Sequence, residues 1–396
     1  MKPFRARGVL HVPGDIVAAL AITVAGAFAN SAVLPILAEI RGTFELPYVA
    51  LGVVIAGFSL ARVLFDLPGG ALADRYAPRS IFYLSGLMGL VGVVLTALAP
   101  SYGLLLAGRL LNGAGAVVGS TAATAYVVRR SAPEDRGKAL GAVVAAALFG
   151  GFLSPAIVGA VAAGSTWRIA VLTLAVPSVL ALGLVSLTVR GAPVVMAAGR
   201  PPLALRGMIH APRQLRGIAV LAVTTAIGIF GMKSTMLPLY GSEKLGLDPA
   251  VVGLALTLSA ALGFPVSIAA GAVSDRYGRL AIYVPSVLLL AAMGVLLNLA
   301  TSAPLYFAFA LMFAVDGGAS SMMQSMVADR ASQARLGAAL GTNAFFRDLA
   351  ISTVPLVLGA VLPVWGFWGA GGVIAVAGTL SAAIAWRIGD TSPRAR

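Results

Sequence analysis

The feature that most limits this chain is a succession of apolar stretches, each of about 20 residues or more, separated by short charged connections. By run length they fall near residues 16–40, 48–73, 80–99, 103–128, 139–163 and 168–189, and again near 217–240, 250–274, 280–300, 304–328, 338–361 and 365–387. About 20 apolar residues in a helix cover the roughly 30 Å of a bilayer's hydrocarbon. In that medium every backbone N–H and C=O must be paired internally, which a helix does within one segment. With 59% hydrophobic and 11% charged residues, the chain has too little polar surface to cover a water-soluble globule. The expectation is an all-α membrane protein of twelve transmembrane helices. The first run is longer than a signal-peptide core and another span follows at once, so it reads as a retained helix, with the mature chain beginning near Met1.

Charge placement sets the orientation. The 28 Lys+Arg against 14 Asp+Glu give a net charge of +14, a balance that in a soluble protein would suggest nucleic acid. Here the basic residues lie between apolar runs, and no nucleic-acid partner is expected. With both termini cytoplasmic, 21 of the 28 fall on the inner side, while only Arg41, Arg168 and Lys244 fall in outer loops. That bias is the positive-inside pattern of a multi-pass protein of the cell membrane. Residues 190–216 carry five arginines with Pro201, Pro202 and Pro212. They read as a cytoplasmic linker on anionic lipid headgroups, between a bundle at 1–189 and a second at 217–396.

Several chemistries lack their residues. There is no cysteine, and His11 and His210 stand apart, so neither disulfide, thiolate nor clustered metal chemistry has ligands. No nucleotide-binding loop or nucleophile–base set appears. An enzyme, a cofactor and ATP-driven pumping are therefore not expected.

The two halves repeat. A shift of about 200 residues brings Gly70-Ala-Leu-Ala-Asp74-Arg75-Tyr76 onto Gly271-Ala-Val-Ser-Asp275-Arg276-Tyr277, and Ala139-Leu140-Gly141 and Pro155 onto Ala339-Leu340-Gly341 and Pro355. Asn30-Ser31 and Leu34-Pro35 meet Lys233-Ser234 and Leu237-Pro238. Parallel repeats of six helices are a transporter arrangement, with substrate and coupling ions near the midplane.

The segment Gly70-x-Leu72-Ala73-Asp74-Arg75-x-Ala77-x-Arg79 resembles the signature loop of the major facilitator superfamily, and Gly271 through Asp275-Arg276-Tyr277-Gly278-Arg279 resembles it again. The resemblance covers essentially the whole chain and implies two pseudo-symmetric six-helix bundles. It also implies a latch, built from Gly70, Asp74, Arg75, Arg79, Gly271, Asp275, Arg276 and Arg279, that holds one state and breaks on switching. Gly70 is expected at a close helix approach. No acid ends the fourth helix beside Arg129, which predicts an abbreviated charge relay in the first half. Arg109-Leu-Leu-Asn112-Gly113-Ala-Gly115 is similar to the family's helix-four pattern, in which an arginine tunes proton release in proton-coupled members. Gly141, Gly150, Ser154, Pro155 and Gly159 look like a degenerate antiporter motif of helix five. In it the glycines allow close packing and the proline bends the helix.

Charges inside spans are costly unless paired or hydrated. Arg62 and Asp66, four apart, suit a structural ion pair on one helix face. Asp316, Asp348 and Arg109 are the candidates for proton coupling. Asn30, Lys233, Arg347, Phe28, Phe149, Phe230 and Phe346 are candidates for the substrate cavity. A permanent salt bridge among Lys233, Asp316 and the Arg347-Asp348 pair is an alternative account, as is simple helix packing for the aromatic residues. Asn30 stands where drug antiporters of the family often carry an acid. The reading is a proton-coupled exporter of lipophilic or amphiphilic small molecules, acting as a monomer. A proton symporter or uniporter of a polar or anionic metabolite is the rival, and a non-transporting receptor or scaffold is a third. High Ala, Gly, Val and Arg usage points to a bacterium.

Overall fold

The computed structural model describes residues 13–132, 135–190, 213–330 and 336–391. Most of the linker, 191–212, lies outside the described residues. Among the described residues eleven helical stretches are long and apolar enough to cross a membrane. The last, α15 (Leu336–Ile388), runs for 53 residues. At 1.5 Å per residue a straight helix of that length would reach about 80 Å, more than twice the hydrocarbon thickness. Gly366 breaks it with φ 60° and ψ −162°, a left-handed backbone that glycine adopts without a Cβ penalty. The eleven stretches thus hold twelve spans. The sequence puts the last boundary at 361–365, whereas the break lies at Gly366, because Pro363 leaves the apolar run uninterrupted.

The chain divides into two compact units. One holds residues up to Phe44 and Gly57–Ala198, the other Glu45–Ala56 and Gly199–Arg396. The helix α3 (Tyr48–Arg75) is therefore shared, its first turns belonging with the second unit.

In the first unit, α1 (Gly14–Ser31) ends where a 3-10 turn, Leu34–Ile36, leads into α2 (Leu37–Phe44). Pro35 lacks an N–H, so the α-ladder cannot run through unbroken. After α3 come α4 (Pro78–Ala97), α5 (Tyr102–Arg130), α6 (Arg136–Gly164), α7 (Trp167–Leu172) and α8 (Ala175–Thr188). Pro78 opens α4 at a position where its missing N–H has no helical acceptor to lose. The core joins Ile22, Phe82, Val117, Ala122 and Val185. Where helices touch, small residues stand. A methyl on Gly150 would lie 2.4 Å from the Val24 carbonyl oxygen, and one on Gly113 would lie 2.2 Å from that of Phe58.

The second unit contains α9 (Arg213–Gly231), α10 (Leu237–Leu239), α11 (Pro249–Tyr277), α12 (Leu280–Leu296), α13 (Ala303–Met312), α14 (Asp316–Arg330) and α15. Two π-helical turns, Met232–Met236 and Tyr240–Lys244, flank α10. A 3-10 turn, Phe313–Val315, separates α13 from α14. Exposed apolar side chains such as Leu187, Val364, Trp365 and Trp386 form lipid-compatible outer faces, while buried serines and threonines hydrogen-bond the carbonyl one turn back. At the end opposite the basic loops, the Tyr48 hydroxyl donates to Glu243. Gly359 allows the Tyr48 backbone to approach, since a methyl there would lie 2.6 Å from its carbonyl oxygen.

Candidate functional site

Two charged groups in the second unit, Lys233 and Asp316, stand where helices break. Lys233 lies in the π turn after α9, half-buried. A π turn inserts a residue into the helical ladder and re-aims the side chains it carries, a feature common at functional sites. Asp316 begins α14 directly after the 3-10 turn, where the helix N-terminus favours a negative charge. Its carboxylate lies within electrostatic reach of the Lys233 ammonium. Under it, α11 and α14 meet backbone to backbone. A methyl on Gly317 would lie 2.1 Å from the Gly263 carbonyl oxygen, and one on Gly263 would lie 3.0 Å from Asp316 Oδ1. The sequence flags Lys233 and Asp316 but not the breaks that present them, although Gly317-Gly318 directly after the acid is the visible sign.

On α15, Arg347 and Asp348 pair with each other, Nη2 to Oδ1 at 3.0 Å and Nε to Oδ1 at 3.1 Å. Sequence reasoning overlooked two neighbours in these segments. Thr235 Oγ1, in the π turn with Lys233, and Asn343 Oδ1, one turn before Arg347, are buried without a hydrogen-bond partner.

In the first unit Arg109 is 1% exposed. Its Nη1 donates to the Ala29 carbonyl at 3.0 Å, and its guanidinium lies 5.1 Å from the centre of the Phe58 ring. Asn30, the next residue, is exposed, and a polar side chain exposed at mid-span suits a water-lined face rather than hydrocarbon. Phe28 is buried, and its carbonyl accepts from Ser154 Oγ at 2.6 Å. Phe149 is half exposed and sits edge-on to Phe152, while Phe230 and Phe346 are half-buried. Of the helix-five motif, Gly150 and Ser154 make the contacts with α1, and Pro155 and Gly159 are buried beside them. Gly141 differs from expectation: no atom lies within 4 Å of where its Cβ would stand. Arg62 and Asp66 lie one turn apart on α3, and both are engaged by neighbours.

The basic end departs most from the sequence reading. Arg279 Nη1 meets Asp275 Oδ1 at 2.7 Å and donates to Ser274 Oγ at 2.7 Å, while Nε meets Asp329 Oδ2 at 3.0 Å. Burial alone pushes this guanidinium's pKa down, but Asp329 and Asp275 outweigh it, and the group titrates above its usual range. Asp390 accepts from the backbone N–H groups of Arg279 and Leu280 at the start of α12. In the first copy Arg79 has a 3.4 Å contact to the Ser186 carbonyl and lies over Tyr83, and Arg75 lies over Tyr76. Arg276 lies over Tyr277 in the same way. The side chain of Asp74 falls outside the described residues. Gly70 has its nearest neighbour 4.0 Å from a Cβ position and Gly271 has none within 4 Å. Neither occupies the close helix crossing expected of Gly70.

An acid does serve the fourth span of the first half, and it comes from α1. Asp15 Oδ2 accepts from Arg130 Nη2 at 2.7 Å, Arg130 Nε at 2.9 Å and the Tyr126 hydroxyl at 2.7 Å. Searching only beside Arg129 misses it.

Eleven helical stretches long and apolar enough to cross a membrane among the described residues, in two compact units, are the architecture of a multi-pass membrane protein. The chain belongs to the Major Facilitator Superfamily, which it matches over residues 19–355 and, in an overlapping match, 219–396. It is similar to the MFS antiporter QDR3 of Candida albicans, 26% identical over 146 residues, 37% of this chain and 21% of the relative. It is similar to the probable sulfoacetate transporter SauU of Cupriavidus necator, 29% identical over 135 residues, 34% of this chain and 31% of the relative. A D-xylose-proton symporter-like protein of Arabidopsis thaliana is 30% identical over 95 residues, 24% of this chain and 19% of the relative. The matches thus span less than a third of each relative's length. Among solved structures, the fold is like that of a bacterial homologue of the human lysosomal transporter Spinster, at a TM-score of 0.77 and 15% identity over 94% of this chain and 96% of that one. A D-xylose-proton symporter aligns at 0.69 and 16% identity over 93% and 96% of the two chains.

Proposed function

We propose that the protein is a secondary transporter of the cell membrane that exports lipophilic or amphiphilic small molecules in exchange for protons. The single observation that carries the coupling is Asp316, a half-buried carboxylate at a mid-span helix break within electrostatic reach of Lys233. Such a carboxylate favours its protonated form when desolvated and its ionised form when a cation approaches. A movement that changes the Lys233–Asp316 separation therefore takes up or releases a proton. Asp348, ion-paired to Arg347, is the alternate coupling acid, and Arg109 is the cation that tunes release from the first unit. Asn30, Phe28, Phe149, Phe230 and Phe346 supply polar and aromatic contacts for an amphiphile. The names of two relatives, an antiporter and a proton symporter-like protein, agree with coupled transport.

In this reading, bundles at 1–189 and 217–396 alternate access as a monomer, with the linker 190–216 and both termini on the cytoplasmic side. The latch residues Gly70, Asp74, Arg75, Arg79, Gly271, Asp275, Arg276 and Arg279 hold one state, and helix five flexes at Ser154-Pro155.

Purified protein in liposomes, given an imposed pH gradient and a fluorescent lipophilic cation, tests the proposal. Gradient-driven movement should be lost in Asp316→Asn and retained in Asp348→Asn. Intact movement in both variants refutes Asp316 and Asp348 as coupling acids. A second reading, uptake of an organic anion held by Lys233 and Arg347, draws on these two cations within spans and on the relative's name as a sulfoacetate transporter. Sulfonate-driven proton flux without cation movement would favour it.

A further inference from the structure

A small polar crevice in the first unit lies among α1, α4, α5 and α8, away from the charged breaks described above. Its walls include Ala29 on α1, Ser85 and Gly89 on α4, Asn112 and Gly115 on α5, and Ser178 on α8. Asn112 is 2% exposed, and its Oδ1 has no hydrogen-bond partner. Ser85 Oγ donates to the Gly115 carbonyl at 2.9 Å and Ser178 Oγ donates to the Leu174 carbonyl at 3.2 Å. Each hydroxyl thus spends its proton on the backbone and keeps lone pairs to accept with. The crevice therefore offers acceptors at both hydroxyls and an acceptor and a donor at the Asn112 amide, a set that suits a small ligand able both to donate and to accept. On the α8 side Leu182 closes against Gly86, where a methyl would lie 2.6 Å from Leu182 Cδ2.

We propose that this crevice is a water site, in which one ordered water donates to Asn112 Oδ1 and to the lone pairs of Ser85 or Ser178. The space admits a molecule of that size, and a buried water needs two or more polar partners. Aligned acceptors would hold water and repel a hydrocarbon chain. The water would also extend the polar environment of Arg109, because Ala29, whose carbonyl takes the Arg109 hydrogen bond, forms part of the wall. It links α5 to α4 or α8 through one shared donor, where glycines leave few side chains to do so.

The test is a structure of the full-length protein in lipid nanodiscs at a resolution that shows waters, for the wild type and Gly89→Ala, with melting curves for both and for Asn112→Leu. A methyl at Gly89 would stand 3.9 Å from Ser178 Oγ, an ordinary contact, so this variant fills the crevice without disturbing the fold. The expected result is ordered density within hydrogen-bonding distance of Asn112 Oδ1 in the wild type, absent in Gly89→Ala, and a lower melting temperature for Asn112→Leu. An empty crevice or acyl-chain density in the wild type overturns the proposal. So does a higher melting temperature for Asn112→Leu, the outcome expected when an unpartnered buried acceptor is replaced by an apolar group. If Asn112→Leu does not fold, the two maps decide.

Discussion

The basic ends of the two units are built from the same sequence motif and held in opposite ways. In the second unit Arg279 is clamped between Asp275 and Asp329, and Asp390 caps the start of α12. In the first, among the described residues, Arg79 makes a 3.4 Å bond to the Ser186 carbonyl and lies over the Tyr83 ring. The 200-residue shift that aligns the motifs explains the contrast, because Arg129 stands in the place of Asp329 and Arg190 in the place of Asp390. Two acids in one copy are two arginines in the other. The ion pair that the first copy does make, Asp15 with Arg130, borrows its acid from α1. A repeated motif can thus keep its place in the fold while the residues around it change, so that the second copy's Arg279 is held by two acids whose counterparts in the first copy are Asp74 and Arg129.

Substitutions can break this contrast. The largest effect is expected from Arg279→Ala, which leaves the largely buried Asp329 carboxylate without its cation, while Asp275 is exposed to solvent. A loss of about 3 kcal/mol is expected, read as a clear drop in melting temperature and in transport. Asp15→Ala removes the acid from Arg130 and Tyr126, for about 2 kcal/mol by the strength of charge-assisted hydrogen bonds. Replacing Tyr126 by Phe in that background should add little if both act through Asp15, which a double-mutant cycle measures. Asp390→Ala removes a carboxylate that serves two N–H groups at a helix start, for about 1 kcal/mol. Arg79→Ala should change stability by no more than about 0.5 kcal/mol. If Arg79→Ala proves as damaging as Arg279→Ala, the two ends are equivalent and the contrast fails.

Much of the fold was legible in run lengths, since spacing alone sets twelve spans and their repeat. Helix ends and partners were less so. Gly366, and not the 361–365 boundary read from run length, divides the last two spans, because a positive-φ glycine needs no change in hydropathy to turn the chain. The π turns around Leu237-Pro238 gave no periodic signal, since one inserted residue per turn does not alter an apolar run. Lys233, Asp316 and Arg109 stood out as charges in hydrocarbon; Lys233 and Asp316 lie at helix breaks and Arg109 is buried. Asp15, Asp329 and Asp390 did not stand out, since each lies at a span's edge where charge is ordinary, and each finds its partner 50 or more residues away. The unpartnered oxygens of Thr235, Asn343 and Asn112 became visible only once packing was known.

The sharing of α3 between units bears on synthesis. Residues Glu45–Ala56 emerge early, yet their contacts, among them the bond from Tyr48 to Glu243 across 195 residues and the close approach of Gly359 to the Tyr48 backbone, arrive only with the second half. At translation rates of about 5–20 residues per second, that end of the helix waits many seconds in the membrane before Glu243, Pro355 and Gly359 arrive to cover Tyr48 and Gly52. The packing of Tyr48–Ala56 is thus completed only when the last spans are delivered.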